Sequence, residues 1–325
     1  MAKARKIDDK LARIKNLGRD PLTKEQLAEL LAALEDKSNL VVAAAAEVIG
    51  ERNLVAFAKE LIAAYDRFLI EPAETDKLCR AKLAIIDALN KIGYDQPDIF
   101  LRAIRYMQIE PRWGGGEDTA AGLRSSAAFG LVRLGHADLL YLLADLLADP
   151  EKIARKAAAQ ALGAIGAQAA TPLLRYKARI GDEEPDVIAE CFAALLSASP
   201  KVSVSFIAEF LTDANEPVAE AAALALGESR RADAFECLQT QLRKTLGPSR
   251  ETILLAISIT RLPAAIDFLL EILAGDNQAA ALAALNALAI HRHNETVNQR
   301  VAAIVTKKQV PSLLERFGKK FKTKE

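Results

Sequence analysis

The sequence repeats itself with a period of about 31 to 32 residues, and this period constrains the fold more than any other feature. The clearest copy, residues 153–166, ends in a small residue, a leucine, two further residues, an aliphatic residue and glycine. Similar endings close at Gly93 and Gly135, and residues 46–50 match the last part of the pattern. Repeats of this size bury their apolar faces by stacking on one another, so the period predicts a repeat protein rather than two globular domains.

Each repeat is expected to contain two helices. Residues 139–147 are apolar at helical spacing and end before Asp149-Pro150, where the proline prevents the helix from continuing. A second helix then begins near Ile153 and ends at Gly166, a residue suited to a left-handed cap. Aspartates recur in the turn between the two helices, where they are placed to cap the second helix or to tie the turn to its neighbour: Asp149, Asp182, Asp213 and Asp276.

Composition and charge exclude several classes of protein. Hydrophobic residues make up 51% of the chain but aromatic residues only 5%, and the predominance of alanine and leucine disfavours a sheet-rich fold. Residues 1–24 and 307–325 each carry a net charge of plus five, so residues 25–306 carry minus ten. A largely acidic body is a poor partner for a phosphate backbone, although the basic ends suit weak contact with an anionic surface.

The cysteines and the apolar segments indicate a cytoplasmic protein. Cys79, Cys191 and Cys237 lie far apart without a CxxC spacing, which favours buried free thiols in a reducing compartment. The chain starts without the apolar segment of a signal peptide, and no apolar run reaches the length needed to span a membrane. We therefore expect no transmembrane segment and a cytoplasmic location.

Sequence motifs for catalysis are sparse. No HExxH, GxSxG, P-loop or GxGxxG motif is present, and the three histidines are His136, His291 and His293. The last two are two positions apart and face different sides of a helix. We expect no catalytic residues, no metal site and no cofactor.

The repeat resembles the HEAT repeat, in particular the short bacterial HEAT-like units first described in phycobilin lyases. The HEAT pattern has a proline early in the first helix, an aspartate at the turn, an aliphatic-x-Arg segment and an Ala-x-x-Ala-Leu-Gly segment. The matching prolines are Pro172 and Pro263, the aspartates are Asp149 and Asp213, the arginine is Arg155, and the Ala-Leu-Gly segments are residues 161–163 and 225–227. The resemblance covers roughly residues 24–305, about eight units. It implies an all-α fold, a right-handed α-α superhelix of about eight helix pairs.

The ends of the chain are expected to differ from the repeats. Thr23-Lys-Glu-Gln26 is a capping box, so the repeat solenoid is predicted to span residues 23–305. Residues 1–22 form a basic N-terminal segment, partly helical or disordered, and residues 306–325 form a C-terminal cap with a lysine-rich tail. Terminal repeats need polar outer faces for solubility.

Two insertions interrupt the early repeats, at residues 70–77 and 108–119. Both begin with Ile-Glu-Pro and both fall between the first and second helix of a repeat, so they are expected to emerge at the same edge and to touch. The insertions contain the only tryptophan of the chain and a set of charged residues that form a candidate partner-binding edge: Glu71, Glu74, Asp76, Glu110, Arg112, Trp113, Glu117 and Asp118.

Two interpretations of the second insertion remain open. In one, Trp113 folds back over a helix pair, residues 114–116 supply a turn, and Glu117 and Asp118 cap the helix that follows. In the other, Trp113 and Arg112 anchor a partner, since both residue types are frequent in binding hot spots. A divalent-cation site is a weaker variant, because the acids lack a regular ligand spacing.

The second helices offer another candidate surface, the concave face. Charged residues lie at early positions of these helices, basic in the first half of the chain and acidic in the second: Arg80, Arg124, Arg155, Lys156, Glu190, Glu220 and Glu251. A groove with this polarity suits an extended peptide or an amphipathic helix. The alternative is that these charges pair with the turn aspartates of neighbouring repeats.

These observations favour a non-catalytic scaffold that binds a protein or peptide partner. The resemblance to phycobilin lyases implies one alternative, a tetrapyrrole lyase or chaperone that uses Arg80, Arg124 and Arg155. The repeats also resemble those of HEAT-like DNA glycosylases, which implies a second alternative, a DNA-binding or glycosylase protein. The acidic body of the chain disfavours this alternative. Deoxyhypusine hydroxylases share this kind of repeat but need His-Glu dipeptides to hold iron, and the sequence contains none.

Overall fold

The computed structural model describes residues 2–17, 22–245, 247, 249–275 and 277–321. Within these ranges the chain is almost entirely helical, with one pair of short strands, and this confirms the all-α prediction. The chain divides into two compact units, Met1–Leu162 and Gly163–Glu325. The predicted solenoid limits of 23–305 remain a prediction.

The first unit consists of helix pairs whose second helices pack side by side. Its elements are α1 (Ala2–Lys15), α2 (Lys24–Leu34), α3 (Asn39–Glu51), α4 (Ala58–Arg67), α5 (Pro72–Thr75), α6 (Arg80–Lys91), α7 (Asp98–Ala103), β1 (Ile109–Arg112), β2 (Gly115–Asp118), α8 (Ala121–Leu134), α9 (Leu139–Leu146) and α10 (Lys152–Ile165), which crosses the unit boundary. Short 3-10 turns cover Val55–Phe57 and Lys77–Cys79. Helices α1, α3, α6 and α8 form one row in which each packs on the next.

The second unit repeats this arrangement in five helix pairs. Its helices are α11 (Ala167–Ile180), α12 (Pro185–Ala198), α13 (Pro200–Ala208), α14 (Glu216–Glu228), α15 (Ala232–Leu242), α16 (Ser249–Ile259), α17 (Pro263–Ala274), α18 (Gln278–Leu288), α19 (Glu295–Lys308) and α20 (Pro311–Phe321), with 3-10 turns at Glu209–Thr212 and Ala289–His291. The second helices α12, α14, α16, α18 and α20 again form a continuous row. No helix in the described part of the chain is long and apolar enough to cross a membrane.

The turn aspartates occupy equivalent places, as the sequence predicted. Asp149, Asp182 and Asp213 each accept a hydrogen bond from the backbone N–H two residues further on, at 2.8 to 2.9 Å. This side-chain turn reverses the chain between the two helices and supplies an acceptor to the start of the second helix. The predicted fourth member, Asp276, lies outside the described residues.

Small residues let the second helices approach closely. A Cβ atom added at Gly227 of α14 would lie 2.4 Å from the backbone oxygen of Ala256 in α16. In α10, residues 157–159 are three consecutive buried alanines. The stacking is therefore made by backbone surfaces and methyl groups, and larger side chains at these positions would separate the helices.

Helix α1 covers residues 2–15 of the N-terminal segment, which the sequence predicts to be partly helical or disordered. Helix α1 packs on α3 in the row of second helices, with Ile14 only 2% exposed. Lys10 forms an ion pair with Asp36, and Arg52 donates to the carbonyl oxygen of Leu17 at 3.3 Å. The Thr23 capping box is present, and the lysine-rich tail from residue 322 onward lies outside the described residues.

Candidate functional site

The two insertions meet, as expected from their shared position in consecutive repeats. We call residues 70–79 and 107–119 the insertion platform. The carboxylate oxygen Oε1 of Glu110 accepts three hydrogen bonds, from the backbone N–H of Leu78 at 2.6 Å, the Gln108 amide at 2.8 Å and the Thr119 hydroxyl at 2.8 Å. The Gln108 amide also donates to the backbone oxygen of Asp76 at 2.8 Å. Glu110 and Gln108 thus join the two insertions into one structure.

The second insertion is a β-hairpin whose tip carries Trp113. Strands β1 and β2 are antiparallel, and Arg112 pairs with Gly115, which leaves Trp113 and Gly114 as a two-residue turn. Gly114 has φ of +93°, a conformation that favours glycine. Trp113 is 102% exposed. The interpretation in which Trp113 folds back over a helix pair is therefore wrong, because the turn places the indole beyond the last pair of the ladder.

A buried ion pair lies beneath the platform. The side chains of Asp76 and Lys82 are both 0% exposed, and their charged atoms are 2.8 Å apart. Asp76 also accepts hydrogen bonds from the backbone N–H groups of Ala81 at 2.8 Å and Lys82 at 3.1 Å, at the start of α6. The placement of Asp76 among partner-binding residues needs correction, since this carboxylate is enclosed and capping a helix.

A second ion-pair network involves Arg124 of α8. Its guanidinium binds Asp149 through two nitrogens, at 2.7 and 2.8 Å, and binds Asp118 through the third at 2.7 Å. Burial raises the pKa of Asp118, but hydrogen bonds from the Gln108 and Ala120 N–H groups and the adjacent Arg124 outweigh burial and lower it. Asp118 and Arg124 expose at most 4% of their side chains, so neither is available to a partner, contrary to prediction.

The remaining residues predicted on the concave face differ in accessibility. Arg155 is 5% exposed and donates to the backbone oxygens of Asp149 and Pro150 at 2.9 and 2.7 Å. Arg124 and Arg155 therefore match the alternative in which these charges bond to the turn of a repeat. The other five are exposed or half-buried, and they lie in both units: Arg80, Lys156, Glu190, Glu220 and Glu251.

Lys82 was missed by the sequence reasoning although the repeat contains its signal. It lies seven residues before Leu89, as Arg124 lies seven before Leu131 and Arg155 seven before Leu162. Aligning the leucines would have identified Lys82, and not Arg80, as the buried cation of its repeat. Gln108 carries no comparable signal, because its role depends on a contact with the first insertion.

The exposed faces of α1, α3 and α6 form a groove of about 670 Å³ in the first unit. Apolar side chains line it together with six charged residues: Leu11, Leu40, Ala43, Ala44, Leu83, Ala84 and Ala88, and Lys15, Glu47, Glu51, Arg80, Asp87 and Lys91. Asp87 accepts a hydrogen bond from the Ser126 hydroxyl. Within the described residues, none of the six charged groups belongs to an ion pair closer than 4.0 Å.

Residues suited to metal binding do not cluster in the described ranges. No group of three or more histidine, cysteine, aspartate or glutamate side chains there is arranged to hold a metal ion. In the platform, Asp76 and Asp118 are each neutralised by a buried cation instead. Asp76 and Asp118 therefore serve the structure of the platform.

Paired helices joined by an aspartate turn, with second helices stacked in rows, define an α-helical repeat protein. A family model described as HEAT repeats matches residues 117–197 and 203–289, just over half of the chain. The chain belongs to the HEAT repeat family, and the resemblance seen in the sequence is confirmed.

Two solved structures are similar at 18% sequence identity. One is the complex of CpcE and CpcF of phycocyanin lyase from Nostoc sp. PCC7120, with a TM-score of 0.36 over 92% of this chain and 97% of that chain. The other is human deoxyhypusine hydroxylase in complex with glycerol, with a TM-score of 0.32 over 77% of this chain and 88% of that chain. A search of curated protein sequences found no significant match. Likenesses this weak have no bearing on activity.

Proposed function

We propose that this HEAT repeat protein is a non-catalytic scaffold that binds a helical segment of a partner protein in the groove of α1, α3 and α6. The observation that carries the proposal is the combination of an apolar floor with six charged groups, none of which belongs to an ion pair among the residues that the structure describes. We place the scaffold in the cytoplasm, because all three cysteines are free and two of them are buried.

An amphipathic helix suits this groove better than a small ligand does. Leu40 on α3 and Leu83 on α6 lie on neighbouring helices and offer apolar contacts to residues spaced along one face of a bound helix. The groove holds three acidic and three basic side chains, and such mixed charges favour one orientation of the partner and disfavour others.

The two alternatives receive less support from the same surface. A tetrapyrrole site was expected to use three arginines, yet Arg124 and Arg155 are buried and only Arg80 reaches the groove. A nucleic-acid site needs an excess of basic groups, whereas acids and bases are equal in number here. Neither chemistry fits the groove as well as a helix of a protein partner does.

The proposal is tested with a matched pair of leucine variants. Leu40 is 36% exposed and lines the groove, whereas Leu314 on α20 is 39% exposed and lies in the other unit. We would select amphipathic helical peptides from a phage-displayed library on the full-length protein and measure their affinities. We expect Leu40→Glu to weaken the selected peptides at least about tenfold, equivalent to about 1.4 kcal/mol, and Leu314→Glu to leave them unchanged.

Circular dichroism would verify that both variants keep their helical content and melting temperature. Peptides that bind the Leu40→Glu and Leu314→Glu proteins equally well would refute the assignment of the groove. Rising salt should also slow association with charged peptides, because the groove charges act mainly on the association rate.

A further inference from the structure

Exposed apolar side chains are concentrated on the insertion platform. Sixteen large hydrophobic residues are exposed in the described parts of the chain, and five of them lie in the platform: Ile70, Leu78, Met107, Ile109 and Trp113. Each exposes at least 51% of its surface, and Trp113 is fully exposed. Concentrated apolar exposure of this kind marks an interaction surface, whereas single exposed residues are ordinary.

Several contacts hold the support beneath Trp113 in place. Arg112 and Glu117 form an ion pair of 2.7 Å across the hairpin, and Glu110 fixes the hairpin to the backbone N–H of Leu78. Gly116 leaves space for Ile109, since a Cβ atom there would lie 2.5 Å from the Ile109 methyl carbon Cγ2. The indole is thus held out from a fixed base, which reduces the entropy lost on binding.

The first insertion adopts an unfavourable backbone to provide this base. Glu71, Leu78 and Cys79 have φ of 47°, 61° and 52°, in the left-handed region that residues other than glycine rarely adopt. The segment is held in place by two hydrogen bonds, which the backbone N–H groups of Leu78 and Ala81 donate to the carboxylates of Glu110 and Asp76. Backbone strain that is held by surrounding contacts is common where a protein presents a functional surface.

The charges around the platform favour a protein partner over a lipid or nucleic-acid surface. Arg112 and Glu117 neutralise each other, and the other exposed charges of the platform are two acids and one base: Glu71, Glu74 and Lys77. Anionic membranes and nucleic acids attract an excess of basic groups, which this edge lacks. A large aromatic residue surrounded by mixed polar groups is the arrangement of a protein-binding hot spot.

We infer that the Trp113 hairpin is an anchor that inserts its indole into an apolar pocket of a partner protein, with Ile109 and Leu78 covering the margin of that pocket. The inference rests on the proposed scaffold function but concerns a surface separate from the groove. It identifies the partner's matching feature as a concave apolar pocket with charges of both signs at its rim.

The position of Trp113 allows the partner to be identified by cross-linking. The full-length protein carrying p-benzoylphenylalanine at position 113 would be irradiated in the cells that encode it, and the attached peptide would be sequenced by mass spectrometry. The cross-linked protein would then be purified and its affinity measured for the wild type and for Trp113→Ala, Trp113→Phe and Leu40→Glu. Because the indole contacts nothing that supports the fold, Trp113→Ala should keep the wild-type melting temperature.

We expect Trp113→Ala to weaken binding at least about tenfold and Trp113→Phe to weaken it less, as for an aromatic anchor. Equal affinity for the wild type and Trp113→Ala would overturn the inference. If Trp113→Ala binds normally while Leu40→Glu fails, the scaffold function stands without the hairpin anchor. If Leu40→Glu binds normally while Trp113→Ala fails, the result supports the hairpin anchor and counts against the groove.

Fluorine NMR gives an independent readout, because Trp113 is the only tryptophan. Wild-type protein labelled with 5-fluorotryptophan has a single tryptophan resonance, which reports on the hairpin alone. Adding the purified partner should shift it and remove its sensitivity to D2O. Vesicles of phosphatidylcholine and phosphatidylglycerol should leave it unchanged, and a shift with vesicles would overturn the choice of a protein partner.

Discussion

Removal of the Asp76 carboxylate tests whether the buried ion pair holds the insertion platform in place. In Asp76→Ala the ammonium group of Lys82 would remain 0% exposed without its carboxylate partner, and the N–H groups of Ala81 and Lys82 would lose their acceptor. The backbone oxygen of Phe68, which accepts from the same ammonium at 3.1 Å, cannot compensate a full charge. The expected result is a large loss of stability confined to the first unit.

The magnitude follows from the enclosure of the pair. Breaking a buried ion pair by removing one partner costs about 3 to 5 kcal/mol, because the other charge stays buried without compensation. Replacing both partners removes that penalty, so Asp76→Ala with Lys82→Met should be more stable than Asp76→Ala alone by about 1 to 3 kcal/mol. Glu74→Ala is the matched control, since Glu74 is exposed in the same insertion and should change stability by less than about 0.5 kcal/mol.

Urea unfolding at neutral pH would measure the four proteins by circular dichroism, and amide hydrogen exchange followed by mass spectrometry would compare the two units. In Asp76→Ala, exchange should become faster in the first unit and stay unchanged in the second. The reasoning fails if Asp76→Ala lies within about 1 kcal/mol of the wild type, or if the double variant is no more stable than Asp76→Ala.

Three further predictions concern the rest of the chain. Gly227→Ala should destabilise the protein by about 1 to 3 kcal/mol, because the added methyl group would meet the Ala256 backbone. Gly318→Ala should stabilise it by about 0.5 to 1 kcal/mol, because the space around Gly318 is open. Urea unfolding measures both changes. Burial lowers the pKa of His291, so the unfolded chain binds a proton more readily than the folded one, and stability should fall as the pH drops below about 6.5. His291→Gln should abolish the part of the melting-temperature change between pH 7 and 5 that this histidine causes. A thiol reagent should modify Cys237 in the folded protein, because this cysteine is only half-buried. Cys79 and Cys191 should react only after unfolding, because burial raises the pKa of each thiol to about 12.

The fold was predictable because its determinants are local and repeated. The proline after Asp149 ends one helix, and the carboxylate of the same aspartate orders the next turn through the N–H of Glu151. The capping box at Thr23 gave the start of α2 from four residues. Each of these signals acts within a few positions of the chain, so sequence alone carries it.

The accessibility of the candidate residues was not predictable in the same way. Asp76 and Glu74 are two positions apart in one insertion, yet Asp76 is enclosed and Glu74 exposed. The difference depends on Lys82 and on Gln108, which reach Asp76 from a helix and from another repeat. Contacts between distant segments decide which charge is structural, and spacing along the chain does not record them.

Buried cations bond to groups of the aspartate turns in both units. In the first unit, Lys82, Arg124 and Arg155 are buried and bonded to groups of the aspartate turns and insertions. In the second unit, Lys177 forms an ion pair of 2.8 Å with the turn residue Asp182, whereas Asp213 has no ion pair within the described residues.

The cations that the first unit encloses are not open to recognition, whereas the charged residues of the α1, α3 and α6 groove and the mixed charges around Trp113 stay exposed. Because the ion pairs hold the helices and insertions that carry both proposed surfaces, the partner that we propose would meet preformed sites and would lose little affinity to ordering them.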